Sequence, residues 1–170
     1  MALLRALNVG GHTITMARLR ALFEALGLDD VQTVIASGNV LFSTRARSVP
    51  ALERRIEAHL FKSLGYEVET FLRSGEELAA ASTAHPDPAP GDALSVLFLR
   101  EALTPAQRRA LAALDTPTDE FSAVGREAYW LRHGRISDSK VTGRQLEKAL
   151  GGPFTARNIT TVRKLAAAAR

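Results

Sequence analysis

The chain has 170 residues, of which 46% are hydrophobic and 24% are charged, and its formal net charge is +4. This balance is typical of a globular protein and excludes a disordered tail. The absence of cysteine excludes disulfides, thiol nucleophiles and cysteine zinc sites, and no apolar run approaches the roughly 18 residues that cross a bilayer. Because the N-terminus also lacks the apolar region of a signal peptide, we expect a cytoplasmic protein that does not bind a membrane.

The first half of the chain predicts four strands and two helices. Apolar and β-branched runs predict strands at residues 2–7, 31–36, 40–43 and 68–72. Helical spacing of leucines predicts one helix from Thr15 to Gly27 and another from Pro50 to Gly65, each ended by its glycine. The predicted order of this half is βαββαβ.

The second half repeats much of this order. After a short helix at 76–82 and a Pro-rich segment at 85–91, the pattern predicts strands at 94–99, 121–124 and 128–132, and helices that begin near residues 104, 139 and 158. We therefore predict an α+β fold with two tandem ferredoxin-like βαββα(β) subdomains and mainly antiparallel sheets. The predicted domains are residues 1–82, a linker at 83–92, and residues 93–170 with an extra C-terminal helix.

Basic residues are concentrated near the C-terminus. Residues 132–170 carry nine Lys and Arg against two Asp and Glu, a difference of +7, whereas residues 1–82 carry nine of each sign. Such an excess attracts anions, nucleic acid included, although an ordinary solvated surface has the same composition.

Arg5 lies inside an apolar strand, where it shares a face with Leu3 and Leu7. An unpaired buried charge is costly, so Arg5 needs either a bound anion or a structural ion pair, for which Glu67 and Glu69 are the candidates.

Two polar turns in the first half are further candidates for ligand binding. Asn8, Gly10 and Gly11 precede a helix and could present backbone N–H groups to an anion, although a plain turn explains them as well. Ser37 and Asn39 belong to a Ser-Gly-Asn hairpin turn that lacks the flanking glycine of a hydrolase nucleophile elbow.

The strongest candidate for an anion site lies near the last helix. Asn158 occupies an N-cap position, and the free N–H groups of the first turn, at residues 159–161 and so including Thr160, carry partial positive charge. Arg157 adds a bidentate donor suited to phosphate or carboxylate. A capped surface helix is the alternative interpretation.

Metal and RNA sites are disfavoured. The four histidines show no metal-ligand spacing, so we expect no metal and no cofactor. RNA-recognition sheets stack bases on aromatic side chains, but here Tyr129 and Trp130 are adjacent and point to opposite faces of a strand. Phosphate contacts from the basic C-terminal helices remain as a weakly supported route to nucleic acid.

Motifs along almost the whole chain resemble the DUF1697 family, bacterial proteins of unknown function. The motifs are Leu3–Gly11, Met16–Arg20, Ile35–Ser43, Ser139–Val141 and Thr155–Leu165. The resemblance implies two ferredoxin-like subdomains and places Lys140 near the Arg157 motif, but implies no activity. Two residues depart from the family pattern, which usually has Gly at the position of Ala6 and Trp near that of Ile159.

Three classes of function follow from the sequence. The first is a small module that binds a nucleotide, a phosphate or a nucleic-acid backbone through the basic C-terminal segment. The second is an enzyme acting on a phosphorylated or carboxylated metabolite in a cleft between the subdomains. The third is a protein-interaction module that uses an open sheet face. We rank anion binding first because residues suited to holding anions are visible, whereas a nucleophile or base is not.

Overall fold

The computed structural model of the chain describes residues 1–8, 10–35, 38–134 and 138–169. It contains two compact units. Unit 1 comprises residues 1–76 together with the last residues of the chain from Ala167 onward, and unit 2 comprises Glu77–Ala166. No helix in the described part of the chain is long and apolar enough to cross a membrane.

Unit 1 is a four-stranded antiparallel sheet with two helices. Its elements in chain order are β1 (Ala2–Arg5), α1 (Met16–Glu24), β2 (Asp29–Thr33), β3 (Asn39–Ser43), α2 (Val49–Leu64) and β4 (Glu69–Leu72). The strands lie in the order β2-β3-β1-β4, so that β1 pairs with both β3 and β4. This is the split βαβ arrangement, in which non-consecutive strands are neighbours.

Alternation along β1 assigns side chains to the two faces of this sheet. Ala2 and Leu4 pack with Phe23 of α1 and Ile56 of α2 in one apolar core. Leu3 points to the opposite face, where its register partner is Phe71 of β4, and both of these side chains are also fully buried.

Unit 2 repeats the topology of unit 1. Most of the helix α3 (Gly75–Thr83) belongs to this unit. The elements that follow it are β5 (Ala93–Phe98), α4 (Pro105–Ala112), β6 (Asp119–Val124), β7 (Glu127–Arg132), α5 (Gly143–Leu150), β8 (Thr155–Asn158) and α6 (Ile159–Ala168). The strand order β6-β7-β5-β8 is the order of unit 1, element for element, and all neighbouring pairs are antiparallel.

The core of unit 2 is built in the same way. Leu97 of β5 and Ala128 of β7 face α4 and α5, where they pack with Leu111 and Leu146. On the opposite face Tyr129 is buried and donates a hydrogen bond from its hydroxyl to the carbonyl of Ala81. Leu3, Phe71 and Tyr129 are thus buried on these second faces. The protein-interaction module with an open sheet face stays a prediction.

The predicted α+β class with two tandem βαββα-like units is confirmed, but several local predictions differ from the structure. The strand predicted at 2–7 ends at Arg5, since Ala6 has a left-handed φ of 60°, and the helix predicted to begin near residue 139 begins at Gly143. β8 was not predicted, because Thr155–Asn158 contains a single apolar residue and only its hydrogen bonds to β5 make it a strand. The strand predicted at 31–36 ends at Thr33, since Ile35 has the left-handed φ of 56° that interrupts an extended chain. The domain boundaries predicted around residues 83–92 stay a prediction.

Candidate functional site

Arg5 forms the structural ion pair that its sequence position predicted as one of two alternatives. Its Nη1 lies 2.9 Å from Oε2 of Glu69, which is its direct cross-strand neighbour in β4. Each side chain is about one-third exposed, with relative areas of 32% and 31%. The charge of Arg5 is therefore balanced by a residue of its own sheet.

The turn after β1 is stabilised by its own side chains. Oδ1 of Asn8 accepts a hydrogen bond from the N–H of Ile14 at 3.1 Å, which closes the turn. Gly10 and Gly11 have φ angles of 62° and 85°, in the left-handed region that glycine adopts without strain. The residues predicted to hold an anion here thus have structural tasks.

Asn39 also has a structural task. It is fully buried, and its Nδ2 donates to the carbonyl of Val34 at 3.1 Å while its own carbonyl accepts from the N–H of Val34 at 2.9 Å. These two bonds fasten the connection between β2 and β3. Ser37, the other candidate in this turn, lies outside the described residues.

The candidates near the last helix do not converge on one point. Arg157 and Asn158 are consecutive in β8, so their side chains point to opposite faces of the sheet. Nη1 of Arg157 donates to Oγ1 of Thr155 at 2.9 Å and to the carbonyl of Ala156 at 2.8 Å, and burial lowers the pKa of this guanidinium to about 10.

Asn158 is the N-cap of α6, as predicted. Its Oδ1 accepts from the N–H of Thr161 at 2.7 Å, so one of the amides predicted to receive an anion is already satisfied. Thr160 is exposed in the same turn, and Lys140 is exposed before α5. The sequence analysis had predicted that Arg157, just before this cap, and Asn158 could both face one ligand, but it did not predict that both lie in a strand.

A different polar cluster lies on the helix-facing side of the unit 2 sheet, and the sequence analysis missed it. Asp119 of β6 is the register partner of Arg132 of β7, and Trp130 is the partner of Ser95 of β5. The guanidinium carbon of Arg132 lies 4.5 Å from the centroid of the Trp130 ring, and its Nη2 donates to Oγ of Ser95 at 3.0 Å. We call these four residues, together with Ser139 as a fifth, the Arg132 site.

Asp119 is fully buried, and neutral donors satisfy its carboxylate. Oδ1 accepts from Nε1 of Trp130 at 2.8 Å, and Oδ2 accepts from the hydroxyls of Thr116 and Thr118, each at 2.9 Å. Burial by itself would raise the pKa of Asp119, but hydrogen bonds from Ser139, Trp130, Thr116 and Thr118 outweigh it and lower the pKa. The carboxylate is therefore held ionised without a direct ion pair among the residues that the structure describes.

Arg132 is a partly desolvated cation with unused donors. Burial lowers its pKa, and the charge of Asp119 opposes that shift. Its Nε is buried without a hydrogen-bond partner, and its one hydrogen bond within the described ranges goes to the neutral Ser95. Since a guanidinium has five N–H donors, most of its capacity is unspent.

Neighbouring groups at this end of the sheet add positive potential. The N-cap of α5 is Thr142, and that of α6 is Asn158, whose register partner is Ser95. Helix N-termini carry about half a positive charge each. Lys140 and Arg144 are exposed close by in the chain, at the start of α5.

The end of β7 is fastened beside this cluster by His133. Its Nδ1 lies 2.8 Å from Oδ2 of Asp92, and its Nε2 lies 2.9 Å from Oε1 of Glu120. Hydrogen bonds to Glu120 and then to Asp92 raise the pKa of His133, which favours the charged form. In the described ranges no group of three or more His, Cys, Asp or Glu could hold a metal ion.

Comparisons with known proteins define the family and the fold. The family model described as "Protein of unknown function (DUF1697)" matches residues 1–129, which include Ser95, Asp119 and β6 but end before Trp130. A solved structure, that of the conserved bacterial protein SP0830 from Streptococcus pneumoniae, is 26% identical with a TM-score of 0.75, covering 99% of this chain and 96% of the other. No curated protein matches the chain.

Proposed function

The chain belongs to the DUF1697 family of unknown function, and from this premise and the geometry of unit 2 we propose that it binds a small anionic ligand, carrying a phosphate or carboxylate group, at the Arg132 site. The observation that carries the proposal is the state of Arg132. This arginine is partly desolvated, is stacked on Trp130, and bonds to a neutral hydroxyl. A guanidinium with open donors matches the two oxygens of a phosphate or carboxylate.

The hydrogen bonds that Asp119 accepts support this proposal. A carboxylate that is the register partner of an arginine would ordinarily neutralise it, but Asp119 is engaged by Trp130 and three hydroxyls. The N–H donors of Arg132 therefore remain available to a ligand, while the nearby charge of Asp119 balances part of its positive charge. Lys140 and Arg144, with the N-termini of α5 and α6, extend the same potential.

The surroundings of Trp130 favour a small ligand over nucleic acid. Its ring contacts Phe121, with centroids 5.6 Å apart, as well as Arg132. A ring engaged in this way offers little surface for stacking a base, which is the usual means of holding single strands. We propose a cytoplasmic metabolite as the ligand, in keeping with the absence of cysteine.

Titration with inorganic phosphate and pyrophosphate at constant ionic strength tests the proposal. Arg132→Met should weaken binding about tenfold or more, because a charge-assisted hydrogen bond contributes roughly 1.5–3 kcal/mol. The same variant should stay folded with only a small fall in melting temperature, since Asp119 keeps its hydrogen bonds from neutral donors and loses only the charge of Arg132 nearby. Isothermal titration calorimetry and a thermal melt give the two readouts.

Arg109→Met is the matched control. Arg109 is exposed on α4 in the same unit, so its loss removes the same charge from the surface and should leave binding within about twofold. Equal weakening by both variants would mean that only net charge matters. Binding that persists in Arg132→Met, or that is seen only with DNA or RNA in a salt-dependent gel shift, would overturn the proposal.

A further inference from the structure

The internal repeat allows each position of unit 2 to be compared with its counterpart in unit 1. Arg5 pairs with Glu69 at the end of β1, and Phe98 pairs with Thr155 at the end of β5. Each fourth strand begins four residues after a left-handed glycine that ends the preceding helix, Gly65 in unit 1 and Gly151 in unit 2. By this alignment the counterpart of Tyr66 is Gly152.

In unit 1 an aromatic pair fills the space between the turn after β1 and the turn before β4. The ring of Tyr66 stacks on that of His12 with centroids 4.0 Å apart and an interplanar angle of 18°. The hydroxyl of Tyr66 donates to the carbonyl of Leu7 at 2.9 Å. This phenol therefore joins the two turns.

In unit 2 both members of this pair are missing. Gly152 has no side chain, and the turn between β5 and the N-cap Thr104 spans residues 99–104, four residues shorter than residues 6–15 of unit 1. The corresponding space in unit 2 is a pocket of about 300 Å³. The pocket is lined by residues 99–104, Gln107 and residues 150–153.

The pocket has the size and the polarity that a phenol requires. An enclosed apolar cavity of roughly 150 Å³ holds a benzene ring, and this pocket is larger, partly open to solvent and lined by both polar and apolar groups. Leu99, Leu103 and Leu150 form buried apolar walls. The counterpart of the Leu7 carbonyl is that of Arg100, a backbone acceptor with two lone pairs, to which Nη1 of Arg126 donates at 3.3 Å.

We propose that unit 2 binds a small planar ring carrying a hydroxyl or N–H donor in this pocket, in the manner in which unit 1 holds the ring of Tyr66. The pocket lies beyond the C-terminal end of β5, whereas Ser95 of the Arg132 site lies near the start of that strand. Four residues of extended strand separate them by about 13 Å, so the two sites are distinct. The ring ligand would be bound independently of the anion.

The probe for the test is p-cresol, which is the free form of a tyrosine side chain. In the intact protein it should shift the backbone amide NMR signals of Gly151, Gly152 and residues 99–103, with a Kd on the order of 1 mM, as expected for a ligand of few atoms. Shifts that cluster elsewhere, or none at these amides, would overturn the proposal.

Filling the pocket is the second arm of the test. A Cβ on Gly152 would meet no atom within 4 Å, and its φ is not in the left-handed region, so Gly152→Tyr is compatible with the fold. It should weaken p-cresol binding at least tenfold. Gly152→Leu serves the same purpose if the tyrosine variant does not fold. Gly143→Tyr, which adds the same side chain to open space at the far end of α5, should leave binding unchanged.

Opening the counterpart in unit 1 is the third arm. Tyr66→Gly removes the phenol and should create a second p-cresol site, seen as new shifts at the amides of Leu7 and His12. If Gly152→Tyr bound p-cresol as tightly as the wild type does, the proposal would be overturned. It would also be overturned if Tyr66→Gly stayed folded but did not gain the new site. None of these outcomes depends on phosphate binding at Arg132.

Discussion

The two units share one topology but use their strand ends differently. Thr15 and Thr104 cap α1 and α4, and Gly65 and Gly151 end α2 and α5 in the same left-handed conformation. These shared residues set where helices begin and end, and they recur because the backbone requires them. The shared parts of the repeat therefore report on folding and not on function.

The differences lie in the residues that the shared backbone leaves open. Unit 1 neutralises Arg5 with Glu69 and fills its turn with Tyr66. Unit 2 leaves Arg132 without a carboxylate partner in the described part of the chain, and has Gly152 in place of the tyrosine. The pocket beside Gly152 is thus a feature of unit 2 whose counterpart in unit 1 is filled by a side chain.

The largest expected effect is a difference in stability between matching glycine substitutions in the two hairpins. Gly38, between β2 and β3, has φ of 71°, and a Cβ there would lie 3.3 Å from side-chain atoms of both Leu4 and Leu7. Gly125, between β6 and β7, has φ of 58° but would meet only a flexible carboxylate oxygen of Glu127 at 3.5 Å. Gly38→Ala combines left-handed strain with crowding and should cost about 3 kcal/mol, whereas Gly125→Ala should cost about 1 kcal/mol.

Urea denaturation of both variants measures this difference in the free energy of unfolding. Equal losses would mean that the tight packing of the first hairpin contributes nothing, and that left-handed strain alone causes the loss of stability.

A smaller effect concerns the buried carboxylate of unit 2. Asp119→Asn places an amide donor against Trp130 and the threonine hydroxyls, so it should cost about 2 kcal/mol at neutral pH. Because hydrogen bonds lower the pKa of Asp119 in the folded state, its stabilisation is complete above the unfolded value of 3.8 and is lost as the pH falls through the folded pKa.

Thermal melts between neutral and acid pH check this prediction. The wild type should lose stability in acid more steeply than Asp119→Asn, which has no carboxylate to protonate at this position. Asp29→Asn, at an exposed site on β2, is the control and should behave as the wild type. Parallel pH profiles for wild type and Asp119→Asn would contradict the assignment.

The smallest effect is a gain of stability in unit 1. Ala6 has φ of 60°, a left-handed conformation that disfavours alanine. Ala6→Gly should therefore raise the free energy of unfolding by about 0.5–1 kcal/mol, after the entropic cost of glycine. The counterpart in unit 2, Leu99, is buried without a left-handed φ, so Leu99→Gly should destabilise instead.

Differential scanning calorimetry of the two glycine variants distinguishes the expected gain of stability in one from the expected loss in the other. A lower melting temperature for Ala6→Gly would show that the alanine methyl group contributes packing that exceeds the backbone strain.

Much of the fold was predictable because its signals are local. The capping box at Thr104 and Gln107, the glycine ends of α2 and α5, and the leucine periodicity of α2 each act within a few residues. The ion pair of Arg5 was also predictable as an alternative, since a charge on an apolar strand needs a partner. Ser37 lies outside the described residues, so its predicted role stays a prediction.

The candidate site was not predictable for a different reason. Arg132 and Ser95 are 37 residues apart, and Asp119 and Trp130 are 11 apart, so their hydrogen bonds exist only once the strand register is set. Trp130 and Arg132 do stand two apart in a predicted strand, which places them on one face. That spacing was the one signal that could have drawn attention to them.

The sequence by itself determined the α+β class, the two repeated units, most helix boundaries and the cap at Asn158, since caps and periodicity are properties of neighbouring residues. Only the tertiary structure decided that Thr155–Asn158 is a strand, which turns Arg157 away from Asn158. It also decided that Arg132 meets Trp130 and Ser95, and that a pocket lies beside Gly152. These features depend on which strands pair and on what fills the space between turns, and such long-range contacts leave no periodic trace in the sequence.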